Sequence, residues 1–235
     1  MSRTTKVKIS ITLKFITFIC VLSAFLMYPE GIPSLLMFFT GQCNFLIGIL
    51  QLVLGILLIR SFKSGKYELD TIPYILQLIC TVAITVTGII FCGVLAPVFL
   101  ASGAPLSFIL SPYQMLLHVV VPLLSIVDFL CFTRPQNFTY KFRDFVWPIT
   151  YPLFYLAFQV ICYVRGIEFY PGVTYPYFFM NWGSPAGVWG FSKEMPYFMG
   201  GGYWIIIILL LVLGISFLYL RIVNKHIVKC RDNLI

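Results

Sequence analysis

The sequence predicts an all-α polytopic membrane protein, a bundle of six transmembrane helices with both termini cytoplasmic. Three observations carry that expectation. The chain is 60% hydrophobic and only 10% charged, with a mean hydropathy of +0.96, far above the apolar share of a soluble domain. Six apolar stretches reach the roughly 20 residues that a bilayer core about 30 Å thick requires of a helix. Of the 16 basic residues, 13 lie in four segments that six crossings put on one side. These are Arg3, Lys6 and Lys8; Arg60, Lys63 and Lys66; Arg134, Lys141 and Arg143; and Arg221, Lys225, Lys229 and Arg231. The opposite side holds Arg165 and Lys193, which is the positive-inside pattern. The net charge of +8 is therefore topological and does not mark a nucleic-acid binder.

The first span covers 9–28. Its basic head suits a signal peptide, but the apolar run is long, carries Lys14 and has no Ala-x-Ala cleavage site, so it is expected to be a retained helix. The second, 34–59, starts after Pro33 with Ser34 as a capping residue. Thr40, Asn44, Gly48, Gln51 and Gly55 share one of its faces. The third, 73–100, carries a milder stripe of Thr81, Thr85, Gly88 and Cys92. The fourth, 112–132, places Gln114, His118 and Ser125 on one side, and the fifth, 145–164, places Tyr151, Tyr155 and Gln159 at four-residue steps. The sixth is 203–222. Amides in lipid lack partners, so these faces point at protein, most simply at a cavity inside the bundle. With short polar linkers between the first five spans, residues 1–235 form a single domain. The one long connection, 165–202, is an outer loop rich in aromatics, Gly and Pro. It suits an interfacial belt and equally a lid over the cavity.

Seven cysteines, none in the outer loops and without a CxxC, fit helix packing better than metal or disulfides. Without a P-loop, a GxGxxG after a strand or a His/Cys cluster, the sequence points to no cofactor and no metal.

His118 is the only histidine in an apolar stretch, and an ionisable group there is a functional candidate by default. Thr40 lies six residues after Ser34 and His118 six after Pro112, so continuous helices put both about 9 Å below the outer helix ends. Cys92 and Gln159 reach a similar level, and Asn44 lies one turn beneath Thr40. A hydroxyl beside a neutral imidazole is the inventory of a nucleophile and its base. Thr40 and His118 are the expected catalytic pair, with Asn44, Gln159, Cys92, Gln114 and Tyr155 as candidate substrate or oxyanion contacts. Backbone donors are expected to be scarce, because helix interiors bond their own amides. Asp128 lies ten residues from His118, about 15 Å along the axis, and is expected to pair with Lys14 instead. Glu168, Gln159 and backbone carbonyls stay open as partners that orient the imidazole.

Three blocks, FFTGQCN at 38–44, LHVVVPLLSIVDFLCF at 117–132 and YPGVTYPYFFMN at 170–181, resemble a family of six-helix membrane proteins. These are the relatives of the androgen-induced and androgen-dependent TFPI-regulating proteins, and the similarity is greatest to the prokaryotic members. The resemblance spans roughly residues 10–222. It implies a threonine hydrolase of fatty acid esters of hydroxy fatty acids, with Thr40 and His118 at the positions of the nucleophile and the histidine. It also implies a prokaryotic plasma membrane and a lipid substrate taken from the bilayer. Asn44 at offset four from Thr40, Pro122 at offset four from His118, and Asp128 depart from the animal pattern and bear on the substrate. Two rivals use the same residues: a transporter or small-molecule binder, and a scaffold whose polar stripes only pack helices. No internal repeat, charged relay or pair of broken helices in the sequence supports a transporter.

Overall fold

The computed structural model describes residues 2–65, 68–134 and 142–232, without the side chains of Phe142 and of residues 226–232. Lys66 and Lys141 of the basic segments lie outside the described residues, as do the side chains of Lys229 and Arg231. Six helices among the described residues are long and apolar enough to cross a membrane: Arg3–Met27, Phe39–Lys63, Thr71–Ala101, Pro112–Phe132, Arg143–Val164 and Gly201–Lys225, here spans one to six. Among the described residues there is no strand, only isolated bridges, including two within the long loop. Span three is the central helix, with 61% of its apolar window buried against 22–39% for the others. Leu54, Leu78, Phe129, Val212 and Tyr219 pack spans two, three, four and six into one core. Leucines, isoleucines and phenylalanines such as Ile19, Phe45, Leu76, Leu123 and Leu210 face outward, as a lipid-exposed belt requires.

Span two is not the continuous helix expected from Ser34. A short helix, Gly31–Leu35, ends at Leu36, the chain turns extended at Phe38, and a new helix starts at Phe39. Gly41 allows the break: a Cβ there would stand 1.9 Å from the Leu35 carbonyl oxygen. Gln42 Nε2 donates to the Leu36 carbonyl at 3.0 Å, and the Tyr155 phenol donates to that of Met37 at 3.1 Å, so the interrupted backbone is satisfied.

Spans three and four each contain π-helical turns, at Phe91–Leu95, Leu116–Val120 and Asp128–Phe132. Prolines explain the first two. Pro97 and Pro122 have no N–H, and the residue before each reaches back one step further, Ala96 to Phe91 and Val121 to Leu116.

At the end of the bundle where the chain begins, hereafter the basic end, Lys14 is fully buried and ion-paired with Asp128. Ser10 Oγ donates to Asp128 Oδ1 at 2.5 Å and Gln77 Nε2 to Oδ2 at 2.9 Å, while the lysine also reaches Thr133 Oγ1 at 3.2 Å. The pairing read from the sequence is present, and it ties spans one, three and four together.

Candidate functional site

Thr40 occupies the first turn of the span-two helix, not its interior. The chain break therefore places it where amides have no intrahelical acceptor. Phe38 offers no side-chain cap, and the Thr40 N–H points at the Tyr177 phenol oxygen, 3.4 Å away. The same phenol also lies against the Thr40 hydroxyl. This corrects the expectation that backbone donors are scarce: the amides of Phe39, Thr40 and Gly41 are all first-turn donors. A helix N-terminus also favours negative charge developing beside it.

His118 sits in the π turn of span four, 6% exposed. Its ring stacks on Phe91, from the π turn of span three, at 3.7 Å between centroids and 8° between planes. Gly88 permits this approach, since a Cβ there would come 2.8 Å from the His118 carbonyl oxygen. Nδ1 is buried without a hydrogen-bond partner, and the backbone of Thr87 lies beside the ring. Neither Glu168 nor Gln159 orients the imidazole: Glu168 accepts from the Gly172 N–H at 3.1 Å, in the loop.

Thr40, His118 and Gln114 line one cavity of about 120 Å³. Thr40 and His118 share it without a hydrogen bond between them. A second cavity, about 60 Å³ and nearly all apolar, meets the first at Thr40 and Tyr177 and runs between Phe39, Ile90, Leu156, Ile205 and Leu209. Tyr155 contributes its ring to this apolar cavity while its hydroxyl holds Met37. Thr40 thus stands at the junction of a chamber of mixed polar and apolar lining and a nearly all apolar one.

The remaining candidates fall elsewhere. Asn44 spends both amide hydrogens on carbonyls, Thr40 at 2.9 Å and Leu117 at 3.2 Å, so it positions the two helices and has no donor left for an oxyanion. The Leu117 carbonyl is open to it because the π turn has taken away the usual Val121 N–H. Gln159 accepts from Trp182 Nε1 at 2.8 Å and anchors the long loop instead of lining the cavity. Cys92 is exposed, its register shifted by the π turn that it occupies. The polar stripes thus do not face one shared cavity. In span two, Gly48 packs on Val21 and Gly55 on Phe15, both of span one. In span five, Tyr151, Tyr155 and Gln159 clamp Gln42, Met37 and Trp182.

Sequence reasoning missed Tyr177. Its block, YPGVTYPYFFMN, carries part of the family resemblance, but nothing in a loop's sequence gives the depth to which one ring descends. Burial holds the phenol above its ordinary range, so it stays a neutral donor. The loop that carries it is packed: Phe178 and Phe179 meet Trp204 of span six at 5.6 Å, and the Tyr203 phenol donates to the Trp189 carbonyl at 2.8 Å. The loop therefore forms a wall of the site. No protein-family model, curated protein or solved structure matches this chain.

Proposed function

We propose that this protein is an integral membrane hydrolase of lipid esters, with Thr40 as nucleophile and His118 as general base. The observation that carries it is the position of Thr40, on a helix N-terminus at the junction of a mixed cavity that holds His118 and Gln114 and an apolar one. Its hydroxyl attacks the acyl carbon while the imidazole takes the proton, directly or through a water in the chamber. The tetrahedral oxyanion is held by first-turn amides and the Tyr177 hydroxyl, donors fixed before reaction begins. The acyl chain lies in the apolar cavity and the leaving alcohol in the mixed one. His118 returns the proton to the alcohol, and water then releases the fatty acid from Thr40. The resemblance of the three sequence blocks to the six-helix threonine hydrolases supports the same pair.

In this reading the basic end faces the cytoplasm, with both termini there, and the cavity opens on the outer side of a prokaryotic plasma membrane. The chain acts as one six-helix domain and draws its substrate from the bilayer. The test is hydrolysis of long-chain esters by purified protein in nanodiscs, with thermal stability measured alongside. Thr40→Ala and His118→Ala each remove nearly all turnover, and the double variant is little worse than either, because groups that share a step are non-additive. Thr40→Ser keeps part of it. A folded Thr40→Ala protein with full activity contradicts the mechanism.

The absence of a hydrogen bond between Thr40 and His118 favours one alternative, a binder or transporter that uses the same chamber without turnover. Saturable ligand binding by a protein that hydrolyses no ester selects it.

A further inference from the structure

The chamber holding Thr40 and His118 extends to the loop end of the bundle, where Tyr28, Glu30, Tyr113 and Tyr170 form its walls. Glu30 is the only charged side chain among the residues that line it. Its Oε2 accepts from the Tyr28 phenol at 3.0 Å and from Ser34 Oγ at 3.2 Å, and no lysine or arginine pairs with it among the described residues. The Tyr28 ring stands edge-on to Tyr113 at 5.5 Å, and Tyr170 leans on Phe38 at 5.4 Å. Burial and then the Glu30 charge hold both outer phenols protonated, Tyr28 well above its ordinary range and Tyr170 at about 12.

A carboxylate without a cationic partner, set among three electron-rich rings, has the chemistry that recognises alkylammonium groups. The ring faces attract the cation and the carboxylate supplies the opposite charge. Resting on the hydrolase reading, we propose that the mouth of the chamber is a subsite for an alkylammonium group carried by the alcohol part of the ester. An alcohol bearing a carboxylate meets Glu30 with no lysine or arginine in the chamber lining to offset it, which sets this chain apart from the esters of hydroxy fatty acids that the resemblance implies. The reaction balances with water alone. The Thr40 oxygen bonds the acyl carbon, the ester C–O bond breaks, and the threonine proton passes through His118 to the amino alcohol's oxygen. Water then cleaves the acyl-threonine to a fatty acid.

The experiment compares three palmitoyl esters in nanodiscs: the choline ester, its uncharged 3,3-dimethylbutyl isostere and the anionic glycolate. The choline ester is expected to exceed the isostere about tenfold in kcat/KM, the scale of a partly desolvated cation on aromatic faces, with the glycolate lowest. Glu30→Gln and Tyr113→Leu each pull the choline-to-isostere ratio towards one, whereas Tyr113→Phe keeps it. Equal kcat/KM for the three esters, or a ratio unmoved by both Glu30→Gln and Tyr113→Leu, overturns the subsite. Binding of the matching hexadecyl ethers, which cannot be cleaved, separates the two claims. Preference for the choline ether without ester turnover keeps the subsite and removes the hydrolase. Turnover without charge preference does the reverse. Competition by tetramethylammonium extends the site to a free cation, and its failure beside retained ester selectivity restricts the site to a lipid-borne head group.

Discussion

Both ends of this bundle bury polar side chains, and they do so differently. At the basic end, Lys14, Asp128, Ser10, Gln77 and Thr133 bond one another around a single ion pair, and only Gln77 Oε1 among their side-chain atoms is buried without a partner. At the loop end, His118 keeps a buried nitrogen without a partner, Asn44 keeps an unpaired oxygen, and Thr40 opens on two cavities. Buried charge is tolerated only when paired and hydrogen-bonded, and the first cluster meets that condition. The second does not complete itself with protein atoms. A network built on a paired and hydrogen-bonded charge locks helices; unpaired atoms beside a cavity are available to a ligand.

The largest effect should come from breaking the ion pair at the centre of the first network. Asp128→Leu or Lys14→Met strands a charge in a fully buried position and is expected to cost about 3–5 kcal/mol of stability. The double variant, with neither charge left, should be less damaged than either single one. Unfolding in detergent measures all three, and additive losses would contradict the account of the lock. Next, Tyr177→Phe should lower ester turnover about 100-fold through loss of one oxyanion donor, with little change in unfolding temperature. An unchanged rate would remove Tyr177 from the site. Gly41→Ala sets a methyl group against the Leu35 carbonyl and is expected to cost about 1–3 kcal/mol while displacing Thr40. The smallest change belongs to Gly93→Ala, whose Cβ would meet nothing within 4 Å, so stability should stay within about 0.5 kcal/mol. Equal losses at Gly41 and Gly93 would mean that the break before Thr40 is not held by close packing.

The difference between the two ends also marks what the sequence could disclose. Span four was legible to the residue, 112–132, and the Lys14–Asp128 pair followed from two charges at matching distances from their helix ends. Composition and spacing decide such features. Four features of the loop end escaped because they depend on departures from the regular helix. Pro33 and Ser34 read as one helix start, while the backbone starts again at Phe39, since only close packing shows that Gly41 must accept the Leu35 carbonyl. The π turn at Phe91–Leu95 shifted Cys92 outward, against a register counted at 3.6 residues per turn. Asn44 was correctly placed beneath Thr40, but which carbonyls take its hydrogens depends on the π turn opposite. Tyr177 arrives on a loop, where periodicity says nothing. Thr40 and His118 still share a chamber although the helix expected to run from Ser34 to Thr40 is broken. The break and the π turn of span four change the local path of the chain without moving the two residues apart.

The central claim is that Thr40 is an activated nucleophile. The most direct measurement is mass-spectrometric mapping of the intact protein in nanodiscs after treatment with a long-chain fluorophosphonate. The account predicts a phosphonyl adduct on Thr40, lost in Thr40→Ala and strongly slowed in folded His118→Ala. An adduct on another residue, or Thr40 labelling that proceeds unchanged without His118, would contradict it.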